Sequence, residues 1–226
     1  MNFEVFRLLK SLIKKDLSLE WRTREIFTSM SLFGLVMIVL IHFSLETASL
    51  DLEPLLPGIM WITYLFSGIL SLNRTASIEK ENHGFEAMLT CAVKPEIIYL
   101  GKLLTNVLFL ILTQILFLPI FSVFFNINLF SRIGPLLLIQ LVGSLGLATL
   151  GTFFSTIGLS VRIRDLFLPL LLFPIIVPLL IGCVETTQLA MNDVPMTSSH
   201  AFKLMVAYDV IFFSICFIIF EYLLEE

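Results

Sequence analysis

RTASIEKENHGFEAMLTCAVKPEIIYLGK, from Arg74 to Lys102, is a charged stretch wedged between long apolar runs. Glu79, Lys80, Glu81, His83 and Glu86 are costly to place in hydrocarbon, so the stretch belongs in water. It is not a plain polar linker. Phe85, Met88 and Leu89 recur at helical spacing, which predicts a short helix with one apolar side. Such a helix suits docking to another protein. A solvated loop containing one helical turn explains the same residues.

The rest of the chain is apolar. It has 226 residues, 58% of them hydrophobic and only 14% charged, with 22 phenylalanines. Soluble domains carry about 25% charged residues, so the composition is that of an integral membrane protein. A span needs about 20 residues. Apolar runs of that order cover 26–45, 55–72, 97–125, 133–159, 166–184 and 202–224. The expected fold is all-α with six transmembrane helices in one domain over 1–226. Runs three and four are long enough to tilt or to begin outside the bilayer. The first 25 residues are charged throughout and lack a continuous apolar core, so no cleavable signal peptide is expected.

Residues 3–21 predict an amphipathic helix. Phe3, Phe6, Leu9, Ile13 and Leu17 share an apolar arc, while Arg7, Lys14, Lys15 and Arg22 gather opposite. Asp16 and Glu20 break the pattern. A basic amphipathic helix before a span is expected in the inner membrane interface, over residues 1–25.

Twelve of the 14 Lys and Arg residues fall on one side of a six-span topology. They lie before span one, between spans two and three, and between spans four and five. Only Arg132 and Lys203 fall on the other side. Both termini are therefore expected in the cytoplasm.

Within the spans, Ser144, Ala148 and Thr152 repeat every four residues, as do Gly151 and Ser155. Small residues at that spacing mark close helix contact, either an internal seam or a subunit interface. Pro169, Pro174 and Pro178 crowd span five, where they kink a helix and free backbone carbonyls. They either line a pathway or bend a packing helix. Intramembrane polar residues read as few. Asp209 in span six is a functional candidate, or one that pairs with Lys203; His42 lies near the outer end of span one. The loop 185–201 is a small lid or a simple connection.

The catalytic patterns are missing. No G-x-x-x-x-G-K-[ST], H-E-x-x-H or G-x-S-x-G occurs, and the three histidines are scattered. Cys91, Cys183 and Cys216 form no C-x-x-C, which favours packing roles. The chain reads as a translocation or scaffold subunit and not as an enzyme. Neither a metal nor nucleic acid is indicated.

The order of elements resembles the membrane subunits of type-2 ABC exporters. There the first cytoplasmic loop carries acidic residues, G-[ST]-x-E-x-L, a proline and then L-G-K. The matching residues are Glu79, Glu81, Gly84, Phe85, Glu86, Met88 and Leu89, followed by Pro95, Leu100, Gly101 and Lys102; Phe85 replaces the usual small hydroxyl residue. Within that superfamily the chain resembles the haem exporter protein B family, CcmB. PGIMW at 57–61 is similar to that family's entry into span two, through Pro57, Gly58 and Trp61. LPLLLFPIIVPLLI at 168–181 is similar to its proline-bearing span five.

The resemblance implies a permease in the bacterial inner membrane that serves haem export or delivery for c-type cytochrome biogenesis. It implies a coupling loop over 74–96 and ATP bound by a separate CcmA-like ATPase. It also implies CcmC-like and CcmD-like partners, two permease copies per complex, and haem as the handled ligand. His42 and His200 are conceivable axial ligands that the resemblance does not select. A general exporter of lipid, drug or glycan, and a non-transporting scaffold, are the competing functions.

Overall fold

The computed structural model describes residues 2–46, 52–81, 94–158, 164–197 and 199–223. Among them there is no strand; seven α-helices and one short 3-10 turn account for nearly everything. They are α1 (Asn2–Thr23), α2 (Glu25–Glu46), α3 (Leu56–Glu81), α4 (Pro95–Phe124), α5 (Ile133–Gly158), α6 (Arg164–Met191) and α7 (His200–Leu223). The 3-10 turn, Leu129–Arg132, leads into α5. Helices α2 to α7 are each long and apolar enough to cross a membrane. The fold is that of a multi-pass membrane protein with a seventh helix in front, as the hydropathy pattern requires.

The joint between α1 and α2 is one residue wide. Arg24 adopts a left-handed conformation, φ 56°, which turns the chain sharply. The first N–H groups of α2 need acceptors. The Glu20 carboxylate supplies them, accepting from Ile26 N–H at 3.2 Å and Phe27 N–H at 2.8 Å. Glu20, out of place in an apolar arc, is thus the cap of the next helix. Among the described residues Asn126 and Asp193 make the other left-handed turns, at φ 54° and 58°.

Two helices run further than hydropathy suggests. α3 continues for nine residues past Leu72 and ends at Glu81, so the charged stretch begins as helix and not as loop. α6 continues past Val184 to Met191, which shortens the expected outer loop to the few residues before His200. Thr186 and Thr187 on that extension are buried against the protein, and only the exposed side carries Glu185 and Gln188.

α5 is the hub, packing on α3, α4, α6 and α7. Its glycines allow that crowding. The Trp61 ring lies where a Cβ on Gly143 would be, at 2.2 Å, and Leu72 occupies the same position over Gly151. Ser144, Ala148, Thr152 and Ser155 are all buried, so the small-residue repeat is an internal seam of this chain.

Candidate functional site: a charged anchor and a polar seam

Lys102 lies about two turns inside α4, yet its ammonium group is buried. An unpaired cation there would be strongly unfavourable. It is paired with Asp16 Oδ2 of α1 at 2.8 Å and in closer contact with Glu79 Oε1 of α3. Lys15 adds a second cation, 3.4 Å from Asp16 and 3.6 Å from Glu79. One cluster therefore fastens α1, α3 and α4 together. Beside it is a cavity of about 460 Å³, lined by Glu20, Ile26, Ile78 and Phe109 as well as by the cluster. A second ion pair, Arg74 with Glu25, ties α3 to the start of α2.

From this anchor a polar seam runs through the spans. Asn106 donates to Thr152 Oγ1 at 2.8 Å, and Ser144 donates to Gln114 Oε1 at 3.1 Å. Gln140 donates to the Tyr64 hydroxyl at 3.2 Å, and Trp61 Nε1 to Thr187 Oγ1 at 2.9 Å. Tyr99 donates to the Thr149 carbonyl at 3.1 Å. These bonds pin α4 to α5, α5 to α3, and α3 to α6. Each buried amide keeps one atom without a hydrogen bond among the described residues: Asn106 Oδ1, Gln114 Nε2 and Gln140 Oε1. The expectation of few intramembrane polar residues is corrected here. Attention to charge alone missed Asn106, Gln114 and Gln140, and it placed Lys102 in the charged stretch without its buried partners. The available signal was four polar residues recurring within two otherwise apolar runs.

The residues singled out from sequence fall in different places. Glu79 belongs to the anchor, and Glu81 is the last residue of α3. Gly84, Phe85, Glu86, Met88 and Leu89 lie outside the described residues, as does Cys91. Pro57 is buried at the start of α3, Gly58 has open space beside it, and Trp61 is fully packed. Pro174 and Pro178 lie on the outward side of α6, and Pro169 is half-buried. The helix stays continuous through all three prolines. Between Pro174 and Pro178 the Ile175 carbonyl accepts a 2.7 Å hydrogen bond from Tyr208 of α7.

Asp209 packs against α5 and α6, with Oδ1 2.3 Å from the Cβ position of Gly146. That oxygen has no hydrogen-bond partner, and no ion pair joins Asp209 to Lys203, among the described residues. His42 sits among Phe43, Phe124 and Phe125 with ring centroids 5.4–5.6 Å away, and His200 is exposed at the start of α7. Cys183 and Cys216 are buried free thiols. No group of three or more His, Cys, Asp or Glu side chains able to hold a metal occurs among the described residues.

The anchor joins three helices through one shared cation, and no catalytic constellation occurs among the described residues. The Arg74–Lys102 stretch leaves α3 beside the anchor and returns through α4, which carries the central cation. Comparison with known proteins covers nearly the whole chain. A protein "Heme exporter protein B" from Paracoccus denitrificans is 29% identical over 84% of this chain and 87% of its own. Its namesake from Rhodobacter capsulatus is 27% identical over 80% and 82%, and that of Pseudomonas aeruginosa 26% over 87% and 86%. The model of the CcmB protein family matches residues 7–220, from α1 to the last turns of α7, and the chain belongs to that family.

Proposed function

We propose that this chain is the membrane subunit of an ABC transporter that exports haem for c-type cytochrome biogenesis. The observation that carries the proposal is the family match over residues 7–220, supported by relatives that bear the name "Heme exporter protein B". The chain lies in the bacterial inner membrane with both termini in the cytoplasm, following its basic residues. ATP is hydrolysed by a CcmA-like subunit. CcmC-like and CcmD-like subunits and a second permease copy complete the complex.

The coupling role is as follows. Phe85, Met88 and Leu89 anchor the loop helix in the ATPase, and Glu81 and Glu86 set its register against basic groups. Displacement of the loop reaches α3 at Glu79. There the shared Lys102 binds α3, α4 and α1 into one unit, so the three move together. Pro174 and Pro178 face away from this chain. Any pathway they line is shared with a neighbouring subunit.

The test is deletion of the gene followed by haem staining of denatured membrane proteins, where only covalent haem survives. Covalent staining is expected to vanish while b-type spectra persist. Normal staining would overturn the proposal and favour an exporter of lipid, drug or glycan. Loss of staining without haem movement by the purified complex would identify a scaffold. Glu86→Lys and Phe85→Ala are expected to insert normally and to lose the ATPase or its stimulated hydrolysis.

A further inference from the structure

α1 has two apolar faces that point in different directions. Leu12 packs over Gly101 of α4, within 3.2 Å of its Cβ position, and belongs to the protein. The other face points away. Phe6 is 68% exposed and Trp21 80%, and with Ile13, Leu17 and Leu104 of α4 they wall an open groove of about 720 Å³. Lys10 and Lys14 line the same groove and are exposed. Neither has an acidic partner among the described residues. Arg24 adds a third cation, 5.9 Å above the Trp21 ring.

We infer that this groove seats an anionic glycerophospholipid, with an acyl chain along the apolar wall and the phosphate between Lys10 and Lys14. Its assignment to the cytoplasmic leaflet rests on the orientation proposed above; its chemistry does not. Two lysines four residues apart on one helix repel each other, and an anion placed between them removes that repulsion. A free phosphate would satisfy the lysines and leave the apolar wall in water. A symmetric second copy would set the same cations against one another. A lipid matches both halves of the surface, and an exposed tryptophan beside basic residues is the side chain that headgroups favour.

Trp21 is also the probe. The other tryptophan, Trp61, is 3% exposed and enclosed by protein. The full complex would be placed in bilayers of phosphatidylcholine containing a minor share of either brominated phosphatidylglycerol or brominated phosphatidylcholine. Bromine quenches tryptophan only on near contact. Quenching is expected to be severalfold stronger with the anionic lipid, and Trp21→Phe should abolish the difference. Lys10→Gln with Lys14→Gln should equalise the two lipids while leaving assembly and melting unchanged. Equal quenching in the unaltered protein would overturn the inference, as would a shielded Trp21 together with disulfide cross-linking between two copies carrying Ile13→Cys. Cytochrome staining reads the function separately, so either proposal can fail while the other stands.

Discussion

Two clasps join helices at opposite ends of the molecule, and they are built from the same chemistry. At the end expected to face outward Arg132 grips Asp193 with two hydrogen bonds, Nε to Oδ1 at 2.8 Å and Nη2 to Oδ2 at 2.6 Å. At the end expected to face the cytoplasm Lys102 is held by single contacts to two carboxylates. The outer geometry is the better one, since a guanidinium matches a carboxylate fork. Yet the Asp193 side chain is 72% exposed and that of Lys102 only 7%. Water screens the first pair and weakens it. The second cannot lose a member without leaving a charge buried. Burial therefore decides which clasp carries structural weight.

The sharpest test of that contrast is Lys102→Met. It leaves Asp16 and Glu79 facing each other with only the more exposed Lys15 nearby. Breaking a buried pair costs about 3–5 kcal/mol, so a large fall in thermal stability in detergent is expected. Adding Asp16→Asn and Glu79→Gln to the same protein should recover much of it. No fall on Lys102→Met would mean that water reaches the anchor freely.

A second test moves the comparison from charge to packing. Gly143→Ala places a methyl group where the Trp61 ring and Cys183 Sγ now lie, at 2.2 and 2.9 Å. Overpacking of this kind costs about 1–3 kcal/mol, and the change should appear as a lower melting temperature with a shifted Trp61 emission. Smaller again is Trp61→Phe, which keeps the ring and deletes the hydrogen bond to Thr187. Side-chain bonds between membrane helices average about 0.6 kcal/mol, and the same melting assay should register a drop of that order.

The smallest effect belongs to the outer clasp. Asp193→Asn should leave melting near neutral pH unchanged within error. The hydrogen bonds from Arg132 hold the Asp193 carboxyl below the usual carboxylate range. A group lowered in this way stabilises the fold above its unfolded titration and stops doing so as pH falls through the lowered folded value. Any difference between Asp193→Asn and the unaltered protein should therefore vanish in acid and return on neutralisation. A large loss at neutral pH would reverse the ranking of the two clasps.

Six spans and an amphipathic leader could be read in the sequence because each depends on a run of residues in series. The anchor depends on three positions far apart in sequence. Asp16 showed there only as a defect in an apolar arc, and Glu79 and Lys102 only as charges of the Arg74–Lys102 stretch. Their partners come from other helices, and hydropathy averages along one. The end of α6 was missed for a related reason. Glu185 looks like the limit of hydrocarbon, yet a helix crosses that limit when one side stays packed, as Thr186 and Thr187 do. The prolines of α6 left a pathway and a bent packing helix as equal readings; the helix runs on through all three and turns two of them outward.

The anchor also imposes an order on biosynthesis. Asp16 leaves the ribosome 86 residues ahead of Lys102, with two spans to be threaded between them. During that interval its carboxylate has no buried cation to meet, so it must stay hydrated. A helix lying flat at the water boundary allows that, while one drawn into the protein at once would not. α1 is thus made well before its partner and cannot be locked by Lys102 until α4 is in place. A chain truncated before Lys102 would leave it undocked, with two carboxylates exposed as a mark of unfinished assembly.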